Sequence, residues 1–168
     1  MLKQLVAVAA ALSLAAPVMA TPTRGDAERN LIETIEQTGT TVYLQCPEDA
    51  GFAGVYMSQK RIMGICVDNR SPRTWTANEQ DTLRHEAIHL AQDCWGRLAD
   101  GRLETTQTIT HLMSLVRRSG INAAEIERIY RQNGADDMTI VLELEAFSMA
   151  ASLSTEQVEA LVRKACFR

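Results

Sequence analysis

The chain has 168 residues, a formal net charge of −4 at pH 7, and a composition that is 46% hydrophobic and 23% charged. This length suits one domain with a real hydrophobic core, because single domains typically contain about 100–150 residues. A mildly acidic chain without a block of basic residues gives no reason to expect nucleic acid or an anionic membrane surface as a partner.

The first twenty residues have the layout of a secretory signal peptide. The segment MLKQLVAVAAALSLAAPVMA carries one Lys near its start, continues as an apolar run from Leu5 to Ala16, and ends in small residues. The apolar run is too short to cross a bilayer, which needs about 20 residues. We therefore predict cleavage after Ala20, export to the periplasm or the medium, no membrane attachment after cleavage, and one mature domain over 21–168.

The mature chain is expected to begin with one helix and three short strands. The helix should start at its cap, Asp26, and stop at Gly39. Runs rich in β-branched and aromatic residues predict three strands, the last two paired as a hairpin, over 40–46, 54–58 and 61–67.

The rest of the chain is predicted to be helical. Thr76 followed three residues later by Glu79 is a capping box, so a helix should begin near Ala77. Further cap patterns and glycine stops predict four more helices, over 103–120, over 122–134, from about 136, and after 154. The order of these elements predicts an α+β domain with an N-terminal helix, a small antiparallel β-hairpin or meander, and a helical bundle.

Four cysteines, an even number, predict two disulfide bonds in an exported chain. We favour Cys46–Cys66, which would close the small β region, and Cys94–Cys166, which would tie the end of the chain to the helix that begins near 77. Free buried thiols are the alternative. A four-cysteine zinc site fits poorly, because the cysteines do not form a close pair in the sequence.

The stretch TLRHEAIHLAQDCW carries the pattern His-Glu-x-x-His. His85 and His89, two of the three histidines in the chain, lie four residues apart and share one face of the predicted helix. Two imidazoles at this spacing can bind one Zn²⁺ ion. Glu86 projects about 100° around the helix from His85, where it can accept a proton from a water without being a ligand.

A third ligand must come from elsewhere in the chain. Trp95 occupies the position of the third His in the three-histidine form of this motif, so that form is excluded. Glu143 and Glu145 are both embedded in the apolar run IVLELEAFSMA, and buried carboxylates are unfavourable unless they are paired or bind metal. We favour Glu143, because alanines on its helix face would allow a close approach to the motif helix. Glu145 remains open, and Glu104 is an outside candidate.

The motif HEAIH at 85–89 followed by ELEA at 143–146 resembles the gluzincin metallopeptidases. The likeness in layout covers about 54–150 and is nearest to small members, in which a β-hairpin precedes the motif helix. It implies a zinc-dependent peptidase that binds an extended peptide or protein substrate along the hairpin edge. The functional residues that it implies are the zinc ligands His85, His89 and Glu143 and the general base Glu86.

One position departs from the family pattern. Many relatives carry Asp or Asn after the Glu-x-x-Ala, where it supports a ligand, and this chain has Phe147. A hydrogen-bond donor for the oxyanion is also needed, and Tyr130, Tyr56 and Arg131 are the candidates. His111 is expected to be a partly buried polar residue rather than a ligand.

The favoured function is therefore that of an exported zinc metallopeptidase. A second hypothesis is a zinc-binding module without catalysis, although such a site would have no use for Glu86 as a base. A third is a disulfide-stabilised helical interaction protein that binds no metal.

Overall fold

A computed structural model describes residues 25–46, 51–67, 74–96, 98 and 101–168. These residues form an α+β domain, as the sequence predicted: an N-terminal helix, a small sheet and a helical bundle. The predicted signal peptide, 1–20, lies outside the described residues. Among the helices that are described, none is both long enough and apolar enough to cross a membrane.

The helices are α1 (Asp26–Gln37), α2 (Ala77–Trp95), α3 (Ile109–Ser119), α4 (Ala123–Gln132), α5 (Asp137–Ser152) and α6 (Thr155–Cys166). The strands are β1 (Thr41–Tyr43), β2 (Gly54–Met57) and β3 (Ile62–Ile65), and a 3-10 turn at Ser58–Lys60 joins the last two. The strand order is β1-β3-β2, with β2 antiparallel and β1 parallel to β3. The sheet is thus mixed rather than an antiparallel meander, because β1 pairs with β3 in the parallel direction.

Local capping determines where most helices begin. The capping box at the start of α2 is formed as predicted: the backbone N–H of Glu79 donates to the Thr76 hydroxyl at 3.2 Å, and that of Thr76 donates to the Glu79 carboxylate at 2.7 Å. At α1 the prediction was wrong by one residue. Gly25, at a φ of 105°, is the cap residue, and Asp26 is the first helical residue.

The third helix begins later than the sequence predicted, at Ile109 rather than at 103. The backbone N–H groups of Thr106 and Gln107 donate to the Glu145 carboxylate, at 3.1 and 2.8 Å, instead of entering a helix. Thr108 then caps α3, accepting a hydrogen bond from a backbone N–H within it. Glu104 consequently lies in an irregular segment and does not open a helix.

Helix α2 lies at the centre of the domain, packed against α5 and α6 and covered on another side by the sheet. The two disulfides have the predicted pairing, Cys46–Cys66 and Cys94–Cys166, and both indicate an oxidising compartment. The second bond joins the C-terminal end of α2 to the end of α6. Side chains of α1, β3, α2 and α6 form the fully buried centre: Leu31, Ile35, Met63, Ile65, Leu83, Ile88, Leu90, Val158 and Val162.

Candidate metal centre

Two helices bring the three favoured ligands together. His85 and His89 lie one turn apart on α2, with their Nε2 atoms 3.0 Å from each other. Glu143 on α5 places one carboxylate oxygen 3.3 Å from Nε2 of His85 and the other 3.5 Å from Nε2 of His89. Ligand atoms of a tetrahedral zinc site with bonds of about 2.0–2.1 Å are about 3.3 Å apart, so these separations suit a single ion. The group could hold a metal ion.

Small residues allow α5 to approach α2 this closely. Ala146 and Ala150, which share the helix face of Glu143, are both buried. The backbone carbonyl of Ala150 accepts a hydrogen bond at 3.0 Å from Nε of Arg84, the residue that precedes the first histidine. The alanine pattern that favoured Glu143 in the sequence therefore corresponds to a real contact between the two helices.

Glu143 is held in its ionised form. Burial by itself raises the pKa of this carboxyl, but the neighbouring imidazoles of His85 and His89 outweigh burial and leave the pKa well below its ordinary value. The hydroxyl of Tyr130, on α4, donates a further hydrogen bond to Glu143 at 2.8 Å. An ionised carboxylate is the form that binds a metal ion.

Glu86 lies beside the ligands without joining them. The residue is 7% exposed, and burial raises its pKa, although the neighbouring histidines and the backbone N–H of Tyr56 lower it in part. Strand β2 passes close by at Gly54, where a Cβ atom would lie 2.4 Å from a methyl group of Thr82 and 3.0 Å from Cγ of Glu86. Only glycine allows the strand to pack this tightly against the motif helix.

An open cleft of about 480 Å³ reaches His85 and Glu86. Residues at the start of β2, in the first half of α2, and in and next to α4 and α5 line it. Most of its walls are apolar, and Tyr130, whose hydroxyl donates to Glu143, is one of the lining residues. Its apolar lining consists of Phe52, Ala53, Gly54, Ile121, Phe147, Ala150 and Ala151.

The two other carboxylates considered as ligands lie elsewhere. Glu145 is fully buried and points away from the histidines, accepting hydrogen bonds from Gln92 and Thr106. Glu104 lies beside Gly96, at the C-terminal end of α2. Of the two glutamates that the sequence left open, Glu143 is the one that belongs to the group that could hold a metal ion.

The three residues considered as hydrogen-bond donors to the oxyanion lie in three different places. Tyr130 is at the cleft, and burial together with the charge of Glu143 raises its pKa. The hydroxyl of Tyr56 donates instead to Asp93, further along α2, at 2.6 Å. Arg131 is on the protein surface in ion pairs with acidic neighbours.

Sequence reasoning missed Gln92. This side chain is fully buried, and its Oε1 lies 2.7 Å from Nδ1 of His89. The sequence did contain a signal for this role. A glutamine stands three residues after the candidate ligand His89 and directly follows the apolar residues Leu90 and Ala91. Phe147, at the position that departs from the family pattern, packs its ring against that of His85, and the two ring centroids are 4.3 Å apart.

No protein-family model, curated protein or solved structure matches the chain. The resemblance to gluzincin peptidases therefore stays a prediction based on the motif residues and their layout. In the described part of the chain, His85, His89 and Glu143 are the one group of potential ligands with the spacing needed to hold a metal ion.

Proposed function

We propose that the protein is an exported zinc-dependent metallopeptidase. The observation that carries this proposal is the convergence of two imidazole nitrogens and an ionised carboxylate beside a buried glutamate that faces an open cleft. A site that only bound metal would need the three ligands but not Glu86.

The donor set supports zinc. Catalytic zinc sites use three protein ligands from His and Glu and keep one position for water or substrate. His85, His89 and Glu143 would hold the ion, with the cleft adjoining His85. Bound there, zinc would polarise a substrate carbonyl and lower the pKa of a water molecule.

Glu86 supplies the base. Its carboxylate accepts a proton from the attacking water as the water oxygen bonds to the carbonyl carbon, and it passes this proton to the amine nitrogen as the C–N bond breaks. Burial raises the pKa of Glu86, which suits a group that must both take up and release a proton near neutral pH.

Tyr130 supplies a hydrogen bond to the oxyanion. Tyr130 lines the cleft and its hydroxyl lies 2.8 Å from Glu143, so the hydroxyl is close to the place where the carbonyl oxygen would become negative. Because its pKa is raised, the hydroxyl keeps its proton at neutral pH and remains a donor.

The substrate is a peptide in an extended conformation. Strand β2 is at the edge of the sheet, and its first residue, Gly54, lines the cleft. A peptide could add to this edge by backbone hydrogen bonds, with its side chains against apolar cleft residues such as Phe52 and Ile121.

Replacing Glu86 by Gln tests the proposal. The variant should bind one zinc ion per chain like the wild type and lose peptide hydrolysis by about 100-fold or more, because the base is gone while the ligands remain. His85→Ala should lose both zinc and hydrolysis. Glu28→Gln is the matched control: Glu28 is also a buried carboxylate, but it is bound to Gln80 and Thr155 and not to the site.

Hydrolysis is measured on a denatured protein mixture, with and without a chelator, and zinc by elemental analysis. A wild-type protein that binds one zinc and cleaves nothing would instead be a zinc-binding module. A wild-type protein without stoichiometric zinc after zinc loading would contradict the metal site and leave a disulfide-stabilised helical protein.

A further inference from the structure

Behind the metal centre, a chain of buried polar groups leads from His89 away from the cleft. Nδ1 of His89 lies 2.7 Å from Oε1 of Gln92, and Nε2 of Gln92 lies 2.8 Å from the Glu145 carboxylate. Gln92 and Glu145 are both fully buried. Burying an amide and a carboxylate is unfavourable unless their hydrogen bonds are made, so the burial of these two groups indicates a specific role.

The contacts of Gln92 fix the orientation of its amide. Its Nε2 is 3.0 Å from the backbone carbonyl of Leu142, and a carbonyl can only accept a hydrogen bond. The atom at this position must therefore be the NH₂ group, and the atom that faces His89 must be the amide oxygen. Since an amide oxygen also only accepts, Nδ1 of His89 must carry a proton.

This assignment determines which nitrogen of His89 is available to a metal. With the proton fixed on Nδ1, the neutral imidazole has its lone pair on Nε2. Nε2 is the atom that lies 3.0 Å from Nε2 of His85 and 3.5 Å from Glu143. The Gln92 amide thus selects the tautomer that a metal ion between these groups requires.

Glu145 keeps the Gln92 amide in this orientation. One of its oxygens accepts from Nε2 of Gln92 and from the backbone N–H of Thr106, at 2.8 and 3.1 Å. The other accepts from the Thr106 hydroxyl and from the backbone N–H of Gln107, at 3.0 and 2.8 Å. With four donors bound, the carboxylate cannot turn without breaking several hydrogen bonds, and it presents a fixed acceptor to Gln92.

We infer that Gln92 and Glu145 are positioning residues, which fix the tautomer and ring orientation of His89 for metal binding. This inference deepens the proposed function, because it rests on the same metal centre. It also explains why 104–107 stays out of helix α3: Thr106 and Gln107 are needed to bind Glu145, and the backbone N–H of Glu104 binds the carbonyl of Gln92 at 3.2 Å.

Gln92→Met tests the inference, with Gln80→Met as its matched control. Both glutamines are on α2, and each donates from Nε2 to a buried glutamate, Gln80 to Glu28 at 2.9 Å. Loss of a hydrogen-bond partner of a ligating histidine typically weakens metal binding about 10- to 100-fold. We expect that weakening in the zinc Kd of Gln92→Met, measured by chelator competition, and a change below about twofold in Gln80→Met. Equal zinc affinity in both variants would overturn the inference.

A second measurement uses the metal-free wild-type chain and needs no variant to fold. Long-range ¹H–¹⁵N spectra, recorded as the pH is raised until the His89 ring is neutral, report which ring nitrogen carries the proton. We expect His89 in the Nδ1–H form, and a mixture of tautomers for this residue in Gln92→Met. An Nε2–H form in the wild type would contradict the inference. Because neither readout involves hydrolysis, a protein that cleaves no peptide but has this tautomer would contradict only the proposed peptidase activity.

Discussion

The two histidines of the candidate metal centre have the same chemistry and lie one helical turn apart, but the protein supports them differently. His89 is on the buried side, where its Nδ1 bonds to Gln92. His85 is beside the cleft, where its ring packs against Phe147. In the described part of the chain, no hydrogen-bond partner is found for Nδ1 of His85.

The difference follows from what each side of the site borders. The His89 side faces the interior and 104–107, where a polar group must have hydrogen bonds. The His85 side faces the cleft, where an aromatic ring can restrict the imidazole and also form a wall for an apolar substrate side chain. One helix, α5, serves both sides, because Glu143 faces the two histidines and Glu145 faces the interior.

Replacing Glu143 and Glu145 by alanine in two separate variants should show the largest difference between the two sides of the site. Glu145→Ala leaves the half-buried backbone N–H groups of Thr106 and Gln107 and the buried Gln92 amide without their acceptor, and an unsatisfied buried polar group destabilises by about 1–3 kcal/mol. We expect the metal-free protein to lose about 3–6 kcal/mol of unfolding free energy in urea, allowing for the other lost bonds. Glu143→Ala should lose about 1 kcal/mol or less and abolish zinc binding. A larger loss of unfolding free energy in Glu143→Ala than in Glu145→Ala would contradict this division of roles between the two glutamates.

The two tyrosines near the motif helix provide the next test. At saturating zinc, Tyr130→Phe should lower kcat for peptide hydrolysis about 100-fold, because one hydrogen bond to the oxyanion is lost. Tyr56→Phe removes the bond to Asp93 instead and should leave kcat within about twofold. If both variants have the same kcat, Tyr130 is not the oxyanion donor.

Zinc itself should stabilise the fold by a smaller amount. An ion that binds only the native state raises the unfolding free energy by about 2.7 kcal/mol at 100 times its Kd. We expect this increase in urea unfolding of the wild type on zinc addition, and its reversal by a chelator. Glu143→Ala should show no increase, since it lacks a ligand. An equal increase in that variant would indicate zinc binding somewhere else.

Features that depend on residues close in sequence were predictable from the chain. The capping pattern at Thr76 and Glu79 placed the motif on a helix, and the spacing of His85 and His89 then placed both on one face. The alanines near Glu143 indicated the close approach of α5. The disulfide pairing was also predicted correctly, and it includes one long-range bond, Cys94–Cys166, which was expected to tie the end of the chain to the motif helix.

Two other features that depend on distant contacts were not predictable. The parallel pairing of β1 with β3 requires knowing the path of the connection, which the strand patterns do not specify. The late start of α3 depends on Glu145, about forty residues further along, whose carboxylate binds two backbone N–H groups that a helix would otherwise use. In the sequence Glu145 resembled a possible ligand, because a buried carboxylate can be stabilised by backbone donors as well as by a metal.

The aromatic contact on His85 gives the smallest expected effect. Phe147→Ala removes the ring that restricts His85, and the imidazole gains rotational freedom that it must lose again to bind metal. An apolar contact restricts a ring less strictly than a hydrogen bond, so the zinc Kd should rise about three- to tenfold, less than in Gln92→Met.

Phe52→Ala is the control for this variant, since Phe52 also lines the cleft and is not among the metal-binding group. It should leave the zinc Kd unchanged while both variants alter the KM for peptides with large apolar side chains. A Phe147→Ala Kd equal to that of the wild type would mean that the backbone of α2 alone orients His85. In that case only His89 would depend on a neighbouring side chain for its position.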